Sequence, residues 1–402
     1  MNERSKRFVG KIFWNYYSNA FREEEFLAGM PPKLEAREWG FIPIYLLPKI
    51  VMRRHISFQS PSEMKKFVLK NIPAHIYHSS AYYKYPGADK MEKKGWEGAD
   101  LIFDIDGEIG RGGYSQMLLK AKEEAVKLKD FLMDDFGFVE REILTVFSGG
   151  RGYHVHVRDG AILKLRGAER REILDYLTAN SLDVKNVLRT TAVRGDYGAK
   201  SGYFYEETNS GWGRRVWGYV ISFLEYIKDL DEEDAIEKIR GLRVGRKEKL
   251  VKNVSKEDAF KMLTSIKNEK IFDMARNGKI ISKELGNLVE RVVESSVEDL
   301  SIKGLSPSVD EPVTSDIKRL IRLPGSIHGG SGLIARMVDD LDDFDPLVDA
   351  VIFSEEEKKI ISDRNMEVEM MDNTYKIKKG ENKVPEFVVV FLICRGVAEY
   401  GC

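Results

Sequence analysis

The sequence predicts an α/β protein, a sheet-containing core interrupted by a mainly helical insertion. Three observations carry this. Leu101–Asp106 reads LIFDID, a strand, and is followed by an Ala-, Lys-, Glu- and Leu-rich helix at about 116–134 and a second apolar strand at Ile143–Phe147. That strand–helix–strand run passes through a glycine turn, SGGRG, into another strand, YHVHVR. From about Arg166 to Val297 strand signals become sparse, and ERREILDYL, VISFLEYIKDL, DEEDAIEKI and KEDAFKMLTSI read as short amphipathic helices.

In order along the chain, Phe8, Ile12, Phe13, Tyr16, Tyr17 and Ala20 recur at helical spacing. Gly29, Pro31, Pro32, Gly40, Pro43 and Pro48 break that pattern and predict loop and short strand over 29–48. Strand-like pieces follow at Arg54–Phe58 and His75–Tyr77, and Gly137 closes the helix after LIFDID. Residues 304–332 return to Gly/Pro punctuation, with Ser315 or Asp316 as a helix N-cap and Ile317, Leu320 and Ile321 as its apolar face. The tail, VPEFVVVFLICRG, reads as a strand buried on both faces. No repeat or low-complexity segment is present.

The 402 residues are 43% hydrophobic and 32% charged, enough apolar material for a sizeable core. The net charge of −1 gives no general attraction for nucleic acid, so any such binding must come from a local basic patch. The two cysteines, Cys394 and Cys402, exclude a disulfide framework and a Cys-rich zinc site. The charged start, MNERSKRFVGKIFW, is unlike a signal peptide, and the longest apolar run, Phe387–Cys394, is too short to span a bilayer. A soluble, cytoplasmic protein with no membrane partner is expected.

Three motifs carry chemistry. Asp104 and Asp106 are two apart on a strand, so both carboxylates project from one face, about 6–7 Å apart at their Cα atoms, while Leu101, Phe103 and Ile105 face the core. Paired carboxylates flanked by apolar residues repel and lose hydration, which makes a cation such as Mg²⁺ their natural partner. The plainer reading is a strand end whose acids face water. SGGRGYH offers the Ser148 hydroxyl, the Arg151 fork and the His154 ring around glycines that let the backbone approach a ligand. A hairpin with a solvated Arg is the alternative, and His156 reads as an ordinary packed histidine. SVDEPVTSDIKRLIRLPGSIHGGSG brings a third carboxylate, Asp310, together with Arg322 and His328. Each has a structural alternative: Asp310 in a turn, Lys318 and Arg319 on a solvated face, His328 packed in a loop.

Taken together, FDID, then SGGRGYH, then VDEPVTSDIKRLIRLPGSIHG resemble, in content and order, the signature of the archaeo-eukaryotic primase small subunit. REWGF at Arg37–Phe41 and LDDFDP at Leu341–Pro346 resemble further blocks of that family. The resemblance implies a mixed-sheet primase catalytic core at 1–165 and 298–402 and a helical subdomain at 166–297. It implies that Asp104, Asp106 and Asp310 are the catalytic, metal-binding aspartates, holding two Mg²⁺ or Mn²⁺ ions. Ser148, Arg151, His154, Arg322 and His328 would contact nucleotide phosphates, and Arg37, Glu38 and Arg54 would sit where some relatives have functional residues. Two departures stand out. GEIGRGGYSQMLLKAKEEA, after the aspartate pair, lacks the Cys/His cluster that many relatives carry there, so no structural zinc is expected; and Gly330 stands where some relatives have Lys.

The implied activity is a nucleotidyltransferase, the catalytic subunit of DNA primase, making short primers de novo from nucleoside triphosphates on single-stranded DNA during replication. The alternatives are a superfamily polymerase that extends or repairs DNA ends, or an inactive nucleic-acid-binding scaffold. A heterodimer with a primase large subunit is also implied. Starting a chain means ordering two nucleotides and a template without a primer duplex, which is entropically costly; the helical insertion is a candidate docking surface for that partner.

Overall fold

A computed structural model of the chain describes residues 1–108, 113–180, 182–183, 187, 190–194, 200–205, 211–242, 254–305 and 316–401. Helix α1 (Glu3–Ala20) begins where the Asn2 side chain accepts the Ser5 N–H at 2.8 Å. Its Val9, Phe13 and Tyr17 form the buried stripe that the spacing predicts. After α2 (Glu24–Ala28) come β1 (Trp39–Pro43), β2 (Arg53–Ile56), α3 (Pro61–Asn71) and β3 (Pro73–Ser79). The antiparallel pair β4 (Ala81–Tyr83) and β5 (Trp96–Ala99) leads into β6 (Leu101–Asp106), α4 (Gly113–Asp134), β7 (Ile143–Phe147), β8 (Gly152–Val157) and α5 (Gly167–Leu177).

The next stretch holds β9 (Thr190–Arg194), β10 (Lys200–Tyr205), α6 (Gly211–Asp229), α7 (Glu232–Arg240), α8 (Lys256–Lys267), α9 (Glu269–Arg276), β11 (Lys279–Ile280) and α10 (Lys283–Leu300). The helices match the amphipathic segments of the sequence. The antiparallel sheet β11–β10–β9 was not expected there; TTAVR and KSGYFY are too short to show a clear alternation.

The remainder comprises β12 (Leu320–Arg322), β13 (Arg336–Val338), α11 (Pro346–Asp349), β14 (Glu357–Ser362), β15 (Met366–Met370), β16 (Asn373–Ile377), β17 (Gly380–Pro385), α12 (Glu386–Cys394) and β18 (Ala398–Tyr400). Two expectations fail here. Leu320–Arg322 is a strand, not a helix: the Asp316 carboxylate accepts the Lys318 N–H at 2.9 Å in a turn, and the following residues pair with the open edge of β3. Ser315 lies outside the described residues. The apolar tail is a helix, not a strand. Every residue from Phe387 to Ile393 is buried, so burial on all sides overrides the β-propensity of its valines.

The chain divides into two units, one of Met1–Lys129, Phe138–Leu174 and Lys303–Cys402, the other of Asp130–Gly137 and Asp175–Ile302. The first contains two four-stranded sheets, ordered β12–β3–β1–β2 and β13–β7–β8–β6. Every neighbouring pair in them is antiparallel. Because β8 lies between β6 and β7, those two strands run parallel to each other, joined through α4 in a split β–α–β unit. The second unit packs Val220 and Leu224 of α6, Leu263 of α8 and Leu288 and Val292 of α10 into its own core, beside the β9–β11 sheet. Among the described residues no helix is long and apolar enough to cross a membrane.

Candidate active site

The β6–β8 register sets Asp104 opposite His154 and Asp106 opposite Gly152. Leu101, Phe103 and Ile105 are fully buried, while the Asp104 side chain is 14% and the Asp106 side chain 52% exposed. Both carboxylates therefore open on the same side of the sheet. Burial raises the Asp104 carboxyl above the usual carboxylate range, although Arg319, Arg322 and Arg151 oppose the shift. Burial, with the Asp104 charge next, raises Asp106. Arg319 Nη2 donates to Asp104 Oδ2 at 3.3 Å, and Arg151 Nη2 to Asp106 Oδ2 at 3.1 Å.

The turn between β7 and β8 is built on glycine. Gly149 has φ +73°, and a Cβ on Gly152 would come within 1.7 Å of the Ile105 carbonyl oxygen, so no side chain fits there. The Ser148 hydroxyl oxygen accepts the N–H groups of Gly150 and Gly152 at 3.2 and 3.3 Å and so fixes the turn that presents Arg151. His154 lies 3.5 Å from Asp104 through Nε2. Burial first, then Arg322, pushes its pKa down to about 3, leaving a neutral ring.

Pairing of β12 with β3 puts Arg322 beside Tyr77. Arg322 donates through Nη1 to His75 Nδ1 at 2.6 Å and through Nη2 to the Tyr77 hydroxyl at 3.1 Å. Burial and the Arg322 charge hold His75 neutral, which lets Nδ1 accept. His328 is likewise held neutral by burial and Arg322. Its Nδ1 accepts the Gly330 N–H at 3.2 Å, which makes Nε2 the protonated nitrogen and a donor beside Gly150. Helix α1 supports this loop: Tyr16 donates to the Gly325 carbonyl at 2.5 Å, and the Tyr17 hydroxyl accepts the Ile327 N–H at 3.1 Å.

Asp104, Asp106, Ser148, Arg151, His154, Arg322 and His328 all line one cleft of about 500 Å³. Asp310 lies outside the described residues. Arg319, Tyr77, Tyr114 and Arg395 line the same cleft and were not singled out from sequence. Nothing in the spacing separates Arg319 from its solvated neighbour Lys318, and Tyr114 and Arg395 reach the site from distant segments. Arg37 and Glu38, by contrast, are fully buried in ion pairs with Asp100 and Arg54, away from the cleft lining. His156 is buried against His78, with ring centroids 6.3 Å apart.

Among the described residues no group of three or more His, Cys, Asp or Glu is arranged to hold a metal. The pair Asp104 and Asp106 nevertheless fits a hard divalent cation. Two carboxylates opposed by burial and by each other gain from one, and such an ion takes one or two carboxylates with phosphate and water.

Comparison with known proteins identifies the family. A model of the DNA primase small subunit matches residues 103–340. The whole chain is 41% identical to the DNA primase small subunit PriS of Methanosarcina barkeri, covering 98% of that protein. It is 39% identical to that of Methanococcoides burtonii, with both chains fully covered. With PriS of Archaeoglobus fulgidus it shares 40% identity over 98% of this chain and 99% of that one. The chain belongs to the DNA primase small-subunit family.

Proposed function

We propose that the chain is the catalytic subunit of a DNA primase, a nucleotidyltransferase that makes short primers de novo on single-stranded DNA during replication. The observation that carries this reading is one cleft lined by the Asp104–Asp106 pair and by Arg322, a guanidinium bonded, among the described residues, to neutral groups and not to a carboxylate. Asp104 and Asp106, with Asp310 as third ligand, would hold Mg²⁺ or Mn²⁺. When bound, those ions lower the pKa of the attacking 3′-hydroxyl and offset charge on the leaving pyrophosphate.

The chain's own residues position and neutralise, because in-line displacement at phosphorus needs little covalent help. Arg322, oriented by His75 and Tyr77, presents its remaining N–H edge to phosphate oxygens. His328, neutral and protonated on Nε2, donates a hydrogen bond without adding charge, and His154 offers a second neutral ring next to Asp104. Ser148 holds the glycine turn and keeps its hydroxyl proton for a phosphate. Arg151 alternates between Asp106 and the nucleotide. Template DNA is held through its backbone. The protein works in the cytoplasm, with no structural zinc, as a heterodimer with a primase large subunit that aids initiation.

The test is synthesis on single-stranded DNA without a primer, with ribo- or deoxyribonucleoside triphosphates and with Mg²⁺ or Mn²⁺, with and without the partner subunit. New chains in the absence of any primer are expected. Extension of supplied ends only would move the chain to the end-extending polymerases, and no incorporation at all would make it a scaffold.

A further inference from the structure

Among the described residues, more arginines than carboxylates line the cleft. Four guanidiniums, Arg151, Arg319, Arg322 and Arg395, line it together with Asp104 and Asp106. Arg151 and Arg319 are each engaged by one of those carboxylates. Arg322 and Arg395 have no carboxylate partner among the described residues. Arg395 follows the last turn of α12, where its backbone N–H bonds the Phe391 carbonyl at 3.0 Å and closes the helix. Its exposed guanidinium lies over the Tyr114 ring, 4.7 Å from the centroid, and 5.3 Å from the Phe391 centroid.

Tyr114 is itself fixed. Its hydroxyl donates to the Gly150 carbonyl, in the turn that carries Ser148 and Arg151, and its ring packs 5.7 Å from Phe391. A guanidinium held over an aromatic ring keeps its N–H edge for acceptors elsewhere. Arg395 is among the residues that line the cleft, as are Gly150, Arg151 and Ser331. A stack placed only to close the helix would not need a cleft-facing position. A polyphosphate is the chemistry that such a concentration of unneutralised N–H donors recognises.

We propose that Arg395 is a nucleotide-binding residue, delivered to the cleft by the C-terminal helix to hold the polyphosphate of the incoming nucleotide, with Tyr114 as its positioning residue. This rests on the reading of the cleft as a nucleotide site. It places part of that site beyond residues 103–340, the stretch that the family model matches.

The experiment uses the full chain. Binding of a nucleoside triphosphate, of the matching nucleoside and of inorganic tripolyphosphate is measured for the parent, R395Q, R395K, Y114L and R322Q, with KM and kcat on a preformed primer and with thermal melting. R395Q is expected to weaken triphosphate and tripolyphosphate binding roughly tenfold and to raise nucleotide KM. Template affinity, nucleoside binding and melting stay at parent values. R395K and Y114L fall between, because the first keeps charge without the fork and the second loses the platform. Parent-like triphosphate binding by R395Q, with R322Q impaired, overturns the assignment of Arg395 and leaves the nucleotide site standing. A parent chain that binds no triphosphate overturns both. If R395Q melts early, R395K decides: a raised KM with parent-like melting supports the proposal, and a parent-like KM overturns it.

Discussion

Arg37 is fully buried and its guanidinium is satisfied by the protein: Nε donates to the Pro32 carbonyl, Nη1 to those of Ser79 and Ser80, and Nη2 to Asp100 at 2.7 Å. Arg170, also fully buried, caps the carbonyls of Leu165, Asp100 and Ala99. Arg322 and Arg395 belong to the same unit but end on neutral groups and open on the cleft. The residue type is the same; what differs is who supplies the acceptors. Where backbone carbonyls and a buried carboxylate supply them, the arginine ties strands and loops together. Where acceptors are missing at an open cleft, the charge awaits a ligand. By this difference Arg37 and Glu38 of the REWGF block, which would sit where some relatives have functional residues, belong to the architecture around Asp100 and Arg54.

Breaking the buried side of this comparison has the largest expected effect. Arg37→Met leaves Asp100 buried with, among the described residues, only the Tyr82 hydroxyl, at 2.8 Å, as a side-chain donor. Removing one partner of a buried pair costs about 3–5 kcal/mol, and denaturant unfolding should read a loss of that size. A loss under about 1 kcal/mol would mean that the pair is not structural in this sense. On the cleft side, Asp104→Asn should lower nucleotide incorporation by roughly a hundredfold or more, since metal assistance contributes several kcal/mol. Unfolding free energy should be unchanged or slightly higher, because burial already opposes the Asp104 charge. Near-parent incorporation by this variant would refute the metal site.

Much of this site was legible in the sequence, because strand alternation fixes which side chains share a face. FDID placed both carboxylates together; the glycines of SGGRG, read as a close approach to a ligand, include Gly152, which instead meets the Ile105 backbone, and the β6–β8 register sets His154 opposite Asp104. What was not legible depends on contacts between distant segments. Arg319 differs from Lys318 only in its reach to Asp104, and Arg395 meets Tyr114 from across the chain. The two misread elements fail for the same reason. Leu320–Arg322 becomes a strand because β3 offers an open edge, and VVVFLI becomes a helix because its surroundings bury every face. Local propensity carries neither fact.

The histidines divide in the same way, into buried core rings and cleft-lining ones. His78 and His156 are wholly buried outside the cleft lining, and among the described residues neither nitrogen of His156 has a hydrogen-bond partner. Burial pushes both pKa values well below 6.5; for His78 the next cause is Arg37, followed by Arg158 and His154, and for His156 it is Arg158, followed by His154, His78 and Arg37. A folded-state pKa below the unfolded one means that the unfolded chain takes up protons first. Stability is therefore fully present above about pH 6.5 and falls as pH drops below it, by up to about 1.4 kcal/mol per pH unit for each imidazole. Glu38, whose carboxyl is held low by Arg54 and Lys94 against burial, adds a loss in the same direction only below about pH 4.5. Unfolding measured at pH 8, 6.5 and 5.5 should show the histidine slope, and His156→Leu should reduce it by one imidazole's share, since His75, His78, His154 and His328 are also held neutral. A parent profile that stays level down to pH 5.5 would show that these rings are not the neutral core residues described here.

The smallest expected effect is the sharpest test of the comparison. Arg319 bonds one carboxylate, Asp104 at 3.3 Å, just as Arg37 bonds Asp100, yet its side chain is 39% exposed and the pair lies at the cleft. A pair whose arginine is exposed contributes about 0–1 kcal/mol, because water replaces the guanidinium. Arg319→Ala should therefore leave unfolding within about 1 kcal/mol of the parent, several-fold less than Arg37→Met. Its effect should appear instead in nucleotide KM, as a rise of a few-fold, since the substitution takes one of four guanidiniums from the cleft. The two variants together decide whether burial and acceptor supply, and not the presence of an ion pair, separate structural arginines from ligand-facing ones. If Arg319→Ala destabilised the chain as much as Arg37→Met and left KM untouched, that criterion would fail, and the assignment of Arg322 and Arg395 to the nucleotide would lose its physical basis.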